Sequence, residues 1–183
     1  MTTLTQSLSR SRWITLAGIV GFALALSAAS QVAIPVPGTP VPITLQPLVV
    51  VLAGLWLGPT AGAASMILYL ALGASGLPVF APVGAPGLAR FAGPTGGYLI
   101  AYPAAAFVAG ALGRRATSLT GRWIAALVGI AVIFVGGIAQ LTILTGSFRR
   151  AIQLGITPFA VFDIVKAWIA AALTSTRVAR RSR

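Results

Sequence analysis

Long apolar runs with few charges recur along this chain, and they limit what it can fold into more than any other feature. A helix of about 20 apolar residues crosses the hydrocarbon core of a bilayer, which is ~30 Å thick. The composition agrees, because 57% of the residues are hydrophobic and only 8% are charged, far from the balance of a soluble domain. The sequence therefore predicts an all-α, polytopic membrane protein.

Proline and glycine mark where the apolar runs stop, and they divide the chain into six predicted transmembrane helices. We expect one membrane domain over residues 1–183, with spans at 13–31, 45–57, 60–75, 95–112, 123–145 and 158–176. The connection "PVPGTPVP" cannot be helical, since proline fixes φ and removes a donor. Residues 76–93 form a second, longer outer connection that is also rich in proline and glycine. Both are apolar, so we predict that they fold back over the helix bundle as a lid.

The arginines predict the orientation in the membrane. With six spans, nine arginines fall on one side of the membrane and three on the other. The positive-inside rule places the larger group, and with it both the N- and C-termini, in the cytoplasm. The larger group is Arg10, Arg12, Arg114, Arg115, Arg122, Arg177, Arg180, Arg181 and Arg183, and the smaller is Arg90, Arg149 and Arg150.

The N-terminal stretch "RSRWITLAGIVGFALALSAASQ" leaves an alternative open, since its basic start, apolar core and small residues also suit a cleaved signal peptide. Cleavage would leave five spans and disperse the charge asymmetry. The net charge of +12 is compatible with nucleic-acid binding as well. However, the basic residues flank apolar segments, which indicates membrane lipid as the partner and no nucleic acid.

The inventory of reactive side chains is too small for most enzyme chemistry. The chain has no histidine, no cysteine and one acidic residue, which excludes Ser-His-Asp triads, paired carboxylates, cysteine nucleophiles and metal sites. It also lacks the GxxxxGK[ST] loop of ATP-hydrolysing proteins. We therefore expect a protein that binds or transports a molecule and is not an enzyme, with no catalytic residue, no cofactor and no metal.

The one acidic residue, Asp163, and the one lysine, Lys166, lie three residues apart in the apolar last span. On a helix this spacing places them on one face. Ionisable groups inside a membrane are costly and normally face a cavity or a polar partner. Two interpretations follow: an ion pair that locks helix packing, or a ligand site in which the carboxylate accepts N–H donors and the ammonium supplies a cation.

Other polar groups are predicted at the same outer end of the helices. One is a second cation in the connection before the fourth span, and two lie at the outer mouth of the second span. The stretch "GPTGGY" opens the fourth span, so its free N–H groups would point at the site, although plain helix punctuation is the alternative. These further ligand-binding candidates are Arg90, Thr44, Gln46, Gly96, Gly97 and Tyr98.

Small residues recur every four positions in the first span, at Ala17, Gly21, Ala25 and Ala29. We call this set the docking stripe. Such a stripe lets another helix approach closely. That helix belongs either to the same bundle, as internal packing, or to a separate membrane protein that docks here.

Three segments in order resemble the BioY family, the biotin-specific substrate-binding (S) component of energy-coupling-factor (ECF) transporters. They are "PVPGTPVPITLQPLVVVLAGLWLGPTAGAASMILYLALGASGLPVFA", "GPTGGYL" and "PFAVFDIVKA". The resemblance covers about residues 32–172. It implies a six-helix membrane protein that binds biotin from outside with very high affinity and works with one coupling protein and two ATPase subunits.

The resemblance also implies roles for individual residues. "FDIVKA" is similar to the family's D-x-x-K-A element, so Asp163 and Lys166 become its ligand-site pair. The ureido N–H donors of biotin would face Asp163, and the biotin carboxylate would face Lys166 or Arg90. The family's small-residue first helix, which contacts the coupling protein, matches Ala25 and Ala29 together with the rest of the docking stripe.

The expected function is therefore capture of biotin at the cell membrane of a prokaryote and its import by an ECF-type, ATP-driven transporter. One alternative is a solitary biotin facilitator that works without the ATPase module. Another is an S component for a different small vitamin. The sequence leaves both open.

Overall fold

The computed structural model describes residues 2–181, with side chains described for residues 12–175. Seven α-helices lie within that range: α1 Thr2–Gln31, α2 Gln46–Leu57, α3 Pro59–Ala74, α4 Gly96–Gly113, α5 Leu119–Thr145, α6 Phe148–Gly155 and α7 Ala160–Arg181. Between α1 and α2 the chain forms an antiparallel hairpin of β1 Ala33–Ile34 and β2 Ile43–Thr44. A 3₁₀ helix, Gly87–Ala92, precedes α4.

Three of these helices are long and apolar enough to cross a membrane: α1 from Arg12 onward, α4 and α5. The pair α6 and α7, bent by 56° at the break between them, counts as a fourth if it forms one broken span. The apolar helices α2 and α3 are shorter, at 12 and 16 residues. The chain is thus mainly helical with membrane-capable helices, as predicted, and the six crossings stay a prediction.

Each segment that the sequence assigned to a span lies mostly or wholly in an α-helix. Besides the hairpin and the 3₁₀ helix, two features of the α-helices were not predicted. The first is α6, which begins where Gly146 adopts a left-handed conformation (φ 67°) and the Ser147 hydroxyl accepts a hydrogen bond from the Arg150 N–H. The second is the start of α1 at Thr2, well before residue 13. Among the arginines used for orientation, five lie outside the described side chains: Arg10, Arg177, Arg180, Arg181 and Arg183.

Helix α4 lies at the centre of the bundle, in contact with α2, α3 and α5. Glycines make these contacts close. A Cβ on Gly54 of α2 would lie 2.2 Å from the carbonyl oxygen of Ala106 in α4, and one on Gly97 of α4 would lie 2.1 Å from that of Gly136 in α5. Small residues at such positions let helix backbones approach within a membrane. These close contacts fix the position of the N-terminal end of α4, where Tyr98 lies.

We expect Gly54→Ala to lower the thermal unfolding midpoint of the purified protein in detergent. The added methyl group must push α2 and α4 apart, and overpacking of this kind typically costs about 1–3 kcal/mol. Gly21→Ala is the matched control, because a Cβ there meets nothing within 4 Å. That variant should unfold at or above the parent temperature, since alanine favours helix over glycine. Equal midpoints for the two variants would contradict the close approach of α2 and α4.

Candidate functional site

A cavity with about 640 Å³ of empty space out to its mouth lies among the hairpin, α2, the connection before α4, and helices α4, α5 and α7. Its walls are mostly apolar and aromatic, with polar side chains contributed by separate elements. Those polar side chains are Thr44, Gln46, Arg90, Thr95, Tyr98, Tyr102, Asp163 and Lys166. The structure thus brings six of the eight predicted ligand residues to one cavity.

The Lys166 ammonium donates to Asp163 Oδ1 at 2.6 Å, and both residues are buried, with exposed fractions of 7% and 4%. The pair lies within one turn of α7, so it does not tie this helix to another. Within the described part of the chain, neither of these two side chains has a further hydrogen-bond partner. One carboxylate oxygen and the remaining ammonium hydrogens are therefore left for the cavity that both residues line.

Thr44 and Gln46 form a short polar chain across the cavity wall. The Thr44 hydroxyl donates to Gln46 Oε1 at 3.2 Å, and Gln46 Nε2 donates to the hydroxyl of Tyr69 at 2.9 Å. These bonds fix the orientation of the Gln46 amide. Since a side-chain amide carries two N–H hydrogens, one hydrogen of Gln46 Nε2 remains available to a ligand.

Arg90 lies in the connection between α3 and α4, residues 76–93, which is the second of the two predicted lid segments. From here on, the lid means this segment alone. The Arg90 guanidinium donates to the carbonyl oxygens of Val83 and, at 2.5 Å, of Ala81, and it lies 5.9 Å from the centre of the Phe80 ring. Burial lowers the pKa of this guanidinium, although arginine remains charged at physiological pH. The Nε atom is buried without a partner among the described residues. Arg90 therefore places a buried cation with unused donors at the cavity.

Tyr98 lines the cavity near the start of α4, whereas its two predicted neighbours do not. The Tyr98 hydroxyl donates to the Gly155 carbonyl at 3.0 Å, which ties α4 to the end of α6. Gly96 and Gly97 are buried by backbone contacts, since a Cβ on Gly96 would lie 2.0 Å from the carbonyl oxygen of Phe91. Close packing accounts for both glycines, and their contact with a ligand stays a prediction.

Several residues that line or support the cavity could not be selected from the sequence. Tyr69 orients Gln46 from α3, and Phe80 of the lid lines the cavity beside Arg90. Tyr102 and Phe159 are buried aromatic residues in the same wall. In an apolar sequence such aromatic residues are indistinguishable from ordinary core residues, because only the fold shows that they share a cavity.

The docking stripe lies mostly on the outer surface of the bundle. Ala17, Gly21 and Ala25 are exposed, and Ala29 at the lid end is 9% exposed. Helix α1 packs on α2 and α3 through another face, which includes Ala23 and Leu26. Internal packing therefore explains Ala29 but not the other three residues.

The side chains of the cavity wall indicate what kind of ligand fits it. Within the described residues, no group of three or more histidine, cysteine or acidic residues lies together. The cavity presents a carboxylate acceptor next to an ammonium, a guanidinium on the lid and aromatic walls. A ligand that fits this arrangement carries N–H donors, an anionic group and an apolar body.

Known proteins are similar to this chain in sequence and in fold. A model of the BioY family matches residues 2–183. A probable biotin transporter BioY of Pyrococcus horikoshii is 46% identical over 128 residues, which are 70% of this chain and 75% of the relative. The biotin transporter BioY of Thermotoga maritima is 35% identical over 138 residues, which are 75% of this chain and 81% of the relative.

A solved structure agrees with the sequence relatives. It is the crystal structure of the S-component for biotin from an ECF-type ABC transporter. It matches with a TM-score of 0.85 at 26% identity and covers 93% of each chain.

Proposed function

This chain belongs to the BioY family, and on that premise we propose that it binds biotin and takes part in biotin import as a substrate-binding membrane component. The relatives that carry this activity in their names match most of the chain. A transport role also agrees with the expectation that the protein is not an enzyme.

The observation that carries the proposal is the buried pair of Asp163 and Lys166 at the cavity. A ureido group presents N–H donors beside a carbonyl acceptor, which complements a free carboxylate oxygen beside an ammonium. The fused rings and valeryl chain of biotin suit the apolar and aromatic walls. Arg90 supplies a cation for the biotin carboxylate, and Gln46 supplies a further amide donor.

We expect Asp163→Asn to weaken biotin binding by about tenfold to over a hundredfold, because a hydrogen bond to a buried charge typically contributes about 1.5–3 kcal/mol. The measurement is titration of the purified protein in detergent. Asp163→Asn also unpairs Lys166, so the double variant Asp163→Asn with Lys166→Met serves as a control without an unpaired charge. It should fold and still bind poorly.

Parent-like affinity in both folded variants would make the pair structural. Titration of the parent with biotin and with other small vitamins separates biotin from the alternative of a different vitamin. A parent protein that binds another vitamin and ignores biotin would overturn the assignment.

We further propose that the cavity opens to the cell exterior and that both termini lie in the cytoplasm. Arg114 and Arg115 lie between α4 and α5, whereas Arg90 lies on the lid at the other end of α4. The positive-inside rule, applied to all twelve arginines of the sequence, supports this orientation.

Single cysteines test the orientation, since the chain has none of its own. Thr117 and Ala85 are both exposed loop residues, before α5 and in the lid. In intact cells, an impermeant thiol reagent should label Ala85→Cys and leave Thr117→Cys unlabelled until the cells are opened. The reverse pattern would invert the topology.

An ECF coupling protein with its two ATPase subunits is the proposed partner, and the exposed part of the docking stripe is the proposed contact. Three small, outward-facing residues in α1 suit the close approach of a partner helix. The alternative of a solitary facilitator keeps the same biotin site but needs no partner at this surface.

Enlarging the exposed stripe separates these two modes. Gly21→Leu with Ala25→Leu should leave biotin affinity of the isolated protein within about twofold of the parent, since neither residue lines the cavity. Uptake by cells and co-purification with the coupling protein should fall together. Ala131→Leu with Ala139→Leu, which enlarges two exposed alanines of α5, is the matched control and should leave both unchanged. Normal uptake by the stripe variant would favour the solitary facilitator.

A further inference from the structure

The last turn of α1 is bonded to the main chain of the lid. The Ser30 hydroxyl donates to the carbonyl oxygen of Val79 at 2.6 Å and shares its hydrogen with the carbonyl oxygen of Ser27 at 2.7 Å. Gln31 Nε2 lies 3.2 Å from the carbonyl oxygen of Phe80 and 3.4 Å from that of Pro78, and within α1 it lies 3.0 Å from Ser30 Oγ and 3.3 Å from the Ser27 carbonyl oxygen. Its two hydrogens are shared among these acceptors. Two adjacent side chains thus contact three successive lid carbonyls, and we call Ser30 and Gln31 the clamp.

The clamp fixes the segment that carries Phe80 into the bundle. The Phe80 ring lies edge-on to Tyr69 and to Phe91, with ring centres 5.4 Å and 5.8 Å away. It occupies the space over Gly73 of α3, where a Cβ would lie 2.1 Å from Phe80 Cζ. Phe80 is therefore a lid side chain seated in a recess of the helix bundle.

Phe80 and the residues after it in turn position the lid cation. Arg90 lies beside the Phe80 ring and donates to the carbonyl oxygens of Ala81 and Val83. Gly84 leaves room for the guanidinium, because a Cβ there would lie 2.6 Å from Arg90 Nη1. The contacts run without a break from the clamp through Phe80 to the cation that faces the cavity.

We propose that Ser30 and Gln31 are positioning residues that hold the lid closed over the cavity and thereby set how long the ligand stays bound. This inference rests on the proposed binding of biotin. The clamp residues do not line the cavity, so they act on the ligand through the lid. Without the clamp, the three carbonyls bond to water instead. The closed lid then loses the free-energy difference that favours it over an open lid.

The test compares Gln31→Glu and Ser30→Ala with two matched controls, as purified proteins in detergent. Gln31→Glu keeps the side-chain shape but removes both N–H donors and sets a carboxylate against carbonyl oxygens. Gln153→Glu adds the same charge at an exposed residue of α6. Ser27→Ala removes a hydroxyl whose bond, to the Ala23 carbonyl, stays within α1.

Two readouts apply. Bound biotin should dissociate about two- to tenfold faster from each clamp variant, the effect of losing ordinary hydrogen bonds, with little change in the association rate. Without ligand, hydrogen exchange measured by mass spectrometry should rise in residues 76–93 of the clamp variants and stay at the parent level in the helices. Both controls should match the parent.

Each outcome decides between the alternatives. Unchanged dissociation or unchanged exchange of the lid in a folded Gln31→Glu protein overturns the proposal, as does an equal effect in the controls. Ser30 is fully buried, so the exposed Gln31 carries the test if Ser30→Ala fails to fold. If the parent protein does not bind biotin, the proposed function fails, while the exchange measurement still tests the clamp on its own.

Discussion

Moving a carboxylate or an ammonium from water into a low-dielectric interior is costly, and the cost is tolerable only when the two charges meet in good geometry. Asp163 and Lys166 meet this condition within one turn of α7, at 2.6 Å. Because the pair is neutral as a unit, no other helix has to supply a counter-charge. The rest of the cavity wall can therefore be mostly apolar and aromatic, with a few further polar groups such as Gln46 and Arg90, which is the usual character of a small-molecule pocket.

The position of that pair depends on a chain of small residues at helix contacts. Gly137 of α5 lies against the Tyr98 ring, where a Cβ would come within 2.1 Å of Cζ. Tyr98 reaches across to the Gly155 carbonyl at the end of α6, and Thr39 donates to the neighbouring Leu154 carbonyl at 2.7 Å. These contacts hold the bend between α6 and α7, and α7 begins just beyond it with Asp163 in its first turn.

Apolar length and proline positions were enough to locate the main helices, and the isolated charged pair singled out in the sequence lines the cavity. Helix α6 was not predicted from the sequence because it is short and carries Arg149 and Arg150 on an exposed face, so hydropathy alone indicates a loop. The role of Phe80 was not predicted for another reason. Its ring packs over Gly73 only when the lid folds onto α3, and neither residue is unusual in the sequence.

The main chain of the lid is hydrogen-bonded to α1, the helix that carries the docking stripe, so a movement of α1 would reach the lid. Helix α1 is continuous from the exposed Ala17, Gly21 and Ala25 to the clamp. The two lid contacts of Gln31 are already 3.2 Å and 3.4 Å long, and a side-chain contact of about 3.6 Å no longer counts as a hydrogen bond. A shift of α1 by about 1 Å relative to α3 is therefore enough to break them. A partner helix that moves α1 would act on the ligand cavity without touching it.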